Sequence, residues 1–127
     1  MALLLWGERI MKKEITIGTV TFPVQSSAFT PFAYRNMTGR ELLKDLMDLQ
    51  SKLEAVSEDE TKSAGVISGV LNDVLQLAYV MHQEAEPNAK PFNEWLKQFD
   101  GILDDNTWLA EVVATAAATF RRKVETD

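Results

Sequence analysis

The residues with the widest chemical range in this chain are few and scattered. His82 is the single histidine, in the run H-Q-E-A-E, and there is no cysteine. A zinc site of the usual kind draws on His and Cys together, and the helical H-E-x-x-H pattern is absent. General-base work by His82 needs a nucleophile to activate, and no Ser stands in a G-x-S-x-G setting. The reading is an exposed histidine in the last turn of a helix, where a cation suits the dipole. Asp100-Gly101-Ile102-Leu103-Asp104-Asp105-Asn106 is rich in oxygens. It lacks the D-x-D-x-D-G order and the twelfth-position Glu of a calcium loop. Gly101 closing one helix and Asp104 or Asp105 opening the next explains it. Glu58-Asp59-Glu60 is likewise a first-turn acidic cluster, suited to a helix N-terminus. There is no P-loop and no G-x-G-x-x-G. No catalytic, metal or cofactor-binding residue is assigned, and the expectation is a non-enzymatic protein without a cofactor.

What remains is recognition chemistry. Phe92, Trp95 and Phe99 share one short helix and Trp108 lies on the next. Aromatics at that spacing form core, yet Trp, Tyr and Arg also concentrate at interface hot spots. The candidate partner-binding residues are Tyr34, Arg35, Arg40, Trp95 and Trp108. Each has a plain structural alternative: the tryptophans and Tyr34 as core, the arginines as solvated surface.

The elements that position these residues are legible in order. From Glu14 the pattern has period two. Ile15-Thr16-Ile17, Gly18-Thr19 and Val20-Thr21-Phe22 predict a hairpin over 14–22 with a II′ turn. Pairing Ile17 with Val20 and Ile15 with Phe22 puts four apolar side chains on one face and Thr16 against Thr21 on the other. Pro23 is expected to end the second strand, with Val24 to Ala28 as an extended link. Thr30-Pro31 supplies an N-cap and a first-turn proline for a short helix. Thr38 and Glu41 form a T-x-x-E capping box that predicts a fresh helix to about Val56. Its apolar face is Leu42, Leu46, Leu49 and Leu53, widened by Leu43 and Met47.

Ser57 to Glu60 is a second capping box. The helix behind it carries a broad stripe from Val66 to Met81, as the most central helix does. Gly65 and Gly69, four apart, suit close approach of another helix. Pro87-Asn88 ends that segment. Lys90-Pro91 restarts the chain into the Phe92–Phe99 helix. The last helix presents Trp108, Leu109, Val112, Val113, Ala116 and Phe120, with the small run Ala114–Ala118 suited to close contact and Arg121-Arg122-Lys123 in its final turn. The predicted fold is mainly α: a small helical domain of four to five helices, spanning about 30–124, with an N-terminal β-hairpin.

Composition sets the outer bounds. A chain of 127 residues, 46% hydrophobic and 25% charged, is one domain by length and able to bury a core. The net charge of −6 is uneven, +3 over residues 1–40 and −9 over 41–127. An acidic body repels phosphate backbones, so nucleic acid is not an expected partner. Apolar runs are too short for a membrane span, and Ala2–Trp6 lacks the preceding positive charge of a signal peptide. Met11-Lys12-Lys13 resembles a start of its own, which makes residues 1–10 a possible upstream extension.

Three stretches carry a family resemblance. They are the KEITI…VTF hairpin with its Thr/Ser/Ala link into Pro31, then YRNMTGRELLKDL (34–46), then LAYVM…AEP…FNEWLKQFD (77–100). The second is similar to a Y-R-x-x-F-G-R-D-L-L pattern, with Thr38 where an aromatic is frequent. In order and spacing the chain resembles the tail assembly chaperones of long-tailed bacteriophages and prophages of Gram-positive bacteria. The resemblance implies binding: such proteins hold the long, helical tape measure protein soluble before tail-tube polymerisation. It also implies residence in the host bacterial cytoplasm and absence from the mature virion. Many members are made in addition as a longer frameshifted form that recruits tail-tube protein. Self-association is compatible with the broad apolar stripes. The alternative is a small helical adaptor or regulatory protein for another host or phage partner.

Overall fold

The computed structural model describes residues 11–58, 60–102 and 107–120, without the side chains of residue 11 and of 55–68. In chain order the elements are β1 (Met11–Ile17), β2 (Val20–Ser26), α1 (Thr30–Thr38), α2 (Leu42–Glu58), α3 (Glu60–Ala85), α4 (Phe92–Leu96) and α5 (Thr107–Phe120). Among the described residues, five helices and one antiparallel hairpin make this a small, mainly α fold, as the patterning predicts.

The hairpin has the expected register. Ile17 faces Val20, Thr16 faces Thr21 and Ile15 faces Phe22, with Gly18 at φ +62° in the turn. The Thr16 and Thr21 hydroxyls bond to each other at 2.8 Å on the exposed face. Pro23 does not end β2, however. Pairing continues through Pro23 and Val24 to Ser26, opposite Met11. Counting from the two-residue turn, 17–20, 15–22 and 13–24 are the hydrogen-bonded pairs, so residue 23 directs its backbone away from β1. A proline there forfeits no ladder bond. Val24 is buried and Ser26 with it.

At the next junction the caps differ from expectation. Phe29, not Thr30, is the N-cap of α1, and it makes no side-chain cap bond. Thr30 turns its hydroxyl backward to accept from the Ser27 amide at 2.9 Å, while Pro31 sits in the first turn. Thr38 closes α1 rather than opening α2. Its hydroxyl donates to the Tyr34 carbonyl at 2.8 Å and accepts from the Arg40 amide at 3.0 Å, and Gly39 follows at φ +77° as a left-handed cap. The first carbonyl of the α2 ladder belongs to Glu41, which accepts from the Asp45 amide at 3.1 Å. Glu41 is therefore the capping position and the Thr38–Glu41 box is not formed.

α3 is the central helix. It packs on β2, α1, α2 and α5. Val70, Val74, Leu77, Ala78 and Met81 are buried on one side, and Leu75, Tyr79 and Val80 on others, because neighbours surround it. The Ser57–Glu60 box, Gly65, Val66 and Ile67 lie outside the described side chains. Gly69 has no heavy atom within 4 Å of an added Cβ, so it makes no close helix approach. On α5, Trp108, Leu109, Val112, Val113 and Ala116 are buried, whereas Ala114 is exposed. Asp104, Asp105, Asn106 and Arg121–Lys123 fall outside the described residues.

The hairpin's apolar face, the inner faces of α2, α3 and α5, and the short α4 share one core. Its aromatic end is built from Phe22, Tyr79, Phe92, Trp95 and Phe99. Trp95 lies edge-on to Phe22 at 5.2 Å and to Phe99 at 4.7 Å between ring centroids. Such edge-to-face pairs contribute about 0.5–1.5 kcal/mol each beyond their buried area.

Candidate functional site

Tyr34 and Arg40, singled out in the sequence, meet in one polar network between α1, α2 and α3. The Tyr34 hydroxyl donates to Asp45 Oδ2 at 2.5 Å. Arg40 Nε donates to the same oxygen at 2.7 Å, and its Nη2 reaches the Tyr34 hydroxyl at 3.1 Å, Asp73 Oδ1 at 2.8 Å and Gln76 Oε1 at 3.4 Å. Gly39 and the Thr38 hydroxyl set the turn that aims Arg40 back at α2 and α3. Burial, and then the hydrogen bond to the Asp45 carboxylate, raise the Tyr34 hydroxyl well above its ordinary value. Burial pushes the Asp45 carboxyl up, the bonds from Tyr34 and Arg40 push it down harder, and the balance lies below the usual value. The guanidinium is held charged by Asp45 and Tyr34. This is a structural clamp. Its arginine is already matched by two carboxylates, so it offers little to an incoming anion.

Of the five candidate contact residues, three are thereby corrected. Tyr34, Trp95 and Trp108 are buried to within 1% exposure. Their side chains belong to the core, and no partner reaches them in this conformation. Trp108 donates its Nε1–H to the Ile102 carbonyl at 3.1 Å, which ties α5 to the chain leaving α4. Arg40 is half-exposed within its clamp. Arg35 stands at the surface with a 3.2 Å ion pair to Glu41, an exposed contact of little energetic weight.

His82 is also not where the sequence puts it. It is buried, stacked on Trp95 at 5.8 Å and edge-on to Phe22 at 5.5 Å. Its Nδ1 lies 2.8 Å from the Pro23 carbonyl, an acceptor only, so Nδ1 carries the hydrogen. The proline's outward carbonyl needs a donor and α3 supplies it. Two residues on, Glu84 gathers the exit of the hairpin. It accepts from the Ser27 hydroxyl, from Thr30 Oγ1 at 2.8 Å and from Gln25 Nε2 at 3.4 Å. Nothing in the local sequence distinguishes Glu84 from a solvated helix charge.

Among the described residues, no group of three or more His, Cys, Asp and Glu is arranged to hold a metal ion, and no helix is long and apolar enough to cross a membrane.

The feature the sequence did not isolate is an exposed apolar set. Phe29 is 59% exposed, Phe32 68%, Leu43 56% and Met47 73%. Phe29 and Phe32 sit one turn apart at the start of α1, and Leu43 and Met47 one turn apart on α2. In the sequence pattern Leu43 and Met47 widen the α2 stripe. A stripe that wide cannot be covered from one side, and the signal was available in that excess. Beside Met47 a groove of about 540 Å³ runs between α2 and α5, with Leu53 in one wall and Ala110, Val113 and Ala114 in the other. Small residues in that wall leave room for a backbone to approach. Gln50, Ser51 and Glu54 also line the groove, so it is mixed in polarity.

Comparison with protein-family models, with curated proteins and with solved structures gives no match.

Proposed function

We propose that this chain is a tail assembly chaperone of the long-tailed phage type, which binds the helical tape measure protein and keeps it soluble before tail-tube polymerisation. The observation that carries the reading is the exposed set Phe29, Phe32, Leu43 and Met47, with the groove beside Met47. A long helical client exposes amphipathic faces until its assembly partners arrive. Laying such a face into a groove between two helices removes it from water, at roughly 25 cal/mol per Å² of apolar area. The order and spacing of the hairpin, the 34–46 stretch and the 77–100 stretch support the same reading. The role requires no catalytic step and no cofactor. It places the protein in the host bacterial cytoplasm and outside the finished virion. In a longer frameshifted form, appended sequence would recruit tail-tube protein.

Co-expression with a tape measure fragment tests the proposal. The fragment should co-purify and stay in the soluble fraction, and Leu43→Asp with Met47→Asp should abolish both effects while the variant keeps its helical content. A fragment that is equally insoluble with and without the chain sinks the reading.

A further inference from the structure

The two outer edges of the hairpin are not equivalent. Alternation from the turn directs the backbone N–H and C=O of residues 21, 23 and 25 outward from β2, and those of 12, 14 and 16 outward from β1. The β2 edge is closed. Pro23 has no N–H, its carbonyl is taken by His82, and α3 packs along the strand. The β1 edge is open: among the described residues, nothing bonds the outward backbone groups of Glu14 and Thr16. Lysines on an edge strand discourage pairing, but Lys12 and Lys13 stand at its beginning, leaving Glu14 to Ile17 without that protection.

Beside this open half lies a trough of about 690 Å³. Glu14 and Thr16 form one bank, Thr107 and Glu111 of α5 the other, and Asp100 closes the end under the hairpin tip. α5 packs on β1 and so provides a floor for a neighbouring strand. Three carboxylates line the trough, and no Lys or Arg is among its described lining residues. Lys13 touches Glu111 from the side at 3.9 Å, with both side chains nearly half exposed, so that carboxylate is only lightly engaged.

We infer that the outer edge of β1 accepts an extended, basic segment of a partner protein as a third strand. Main-chain bonds to Glu14 and Thr16 would hold it in register, and lysine or arginine side chains would meet Glu14 on the solvent face and Glu111 and Asp100 on the helix face. Strand addition of this kind takes affinity from backbone bonds and specificity from alternate side chains. The acidic trough selects base. The site lies apart from Phe29, Phe32, Leu43 and Met47 and stands independently of the chaperone reading.

The probe is a capped heptapeptide alternating valine and lysine, fluorescently labelled, with a valine–glutamate counterpart and a fully N-methylated version of the lysine peptide. Anisotropy with the full chain should show the lysine peptide binding at least tenfold more tightly than either control. Amide hydrogen exchange should slow at Glu14 and Thr16 in its presence, and Glu14→Lys with Glu111→Lys should weaken binding at least tenfold. No binding of the lysine peptide overturns the inference. So does equal affinity for the N-methylated peptide, which would leave charge attraction alone. Protection of Glu14 and Thr16 that rises with protein concentration without peptide would assign the edge to self-pairing and overturn it too.

Discussion

Gly18 lies directly against Asp100: a Cβ added to the glycine would stand 2.0 Å from the Asp100 carbonyl oxygen and 3.0 Å from its Oδ1. The hairpin tip thus rests on the chain between α4 and α5, and the turn glycine has two reasons to be there. Its φ of +62° suits a II′ turn, and its missing side chain allows the approach. Gly18→Ala should destabilise the protein by about 2–4 kcal/mol, combining backbone strain with displacement of a neighbouring main chain. Urea unfolding measures this. An alanine variant with the parent's midpoint would show that the tip does not dock.

The clamp around Arg40 joins three helices. Tyr34→Phe removes the hydroxyl that both gives to Asp45 and receives from Arg40, and should cost about 1–2 kcal/mol. Arg40→Ala leaves Asp45 and Tyr34 facing each other without their cation and should cost a similar amount, since the guanidinium is partly solvent-screened. Because the two side chains share Asp45, the double variant should cost clearly less than the two singles added, by at least ~0.5 kcal/mol. Strict additivity in a double-mutant cycle would mean that Tyr34 and Arg40 act separately.

The same clamp makes stability depend on acid. Asp45 is depressed in the folded state below its ordinary value of 3.8, so the folded chain binds its proton less readily than the unfolded chain. Its contribution is fully present above that ordinary value and disappears as pH falls through the depressed folded one. Asp45→Asn should be less stable than the parent at neutral pH, with the difference shrinking steadily below about pH 4. Thermal midpoints across that range test the sign. A difference that stays constant into acid would assign the loss to packing instead of charge.

How much of this was readable beforehand follows from which interactions are local. The hairpin's register, its glycine turn and the central stripe of α3 follow from period and turn chemistry within a few residues, and the structure has all three. Thr38 shows the limit. A T-x-x-E string satisfies the rule for opening a helix, but Gly39 lets the chain turn first, and Thr38 spends its hydroxyl closing α1. Pro23 shows another: a proline ends a strand only where its nitrogen faces the partner, and counting from the turn faces it outward here. Three of the five candidate binding residues are core for a related reason. Tyr34, Trp95 and Trp108 are the side chains that hot spots favour and also those that a small core most needs. Residue type alone does not separate the two uses; burial does, and burial depends on contacts distant in sequence. The partners of Arg40 on α3, Asp73 and Gln76, are more than thirty residues away.

Trp95 and Trp108 are each 1% exposed, yet their indole nitrogens differ. Trp108 Nε1 donates to Ile102, whereas Trp95 Nε1 is a buried donor with no acceptor among the described residues. The same substitution should therefore give unequal results. Replacing either indole by phenyl removes similar volume and leaves a similar cavity, which destabilises. At position 108 it also removes the bond to the partly buried Ile102 carbonyl, adding about 0.5–1.5 kcal/mol. At position 95 it removes an unpaired polar group whose burial already costs an amount of that order, so the two effects oppose. Trp108→Phe should thus be the more damaging by at least ~1 kcal/mol, although Trp95 sits among more aromatic rings. Denaturant titrations of the two single variants, read against a common parent, decide it. Equal losses, or a larger loss at Trp95, would mean that the Trp95 N–H has a partner in solution, such as a buried water.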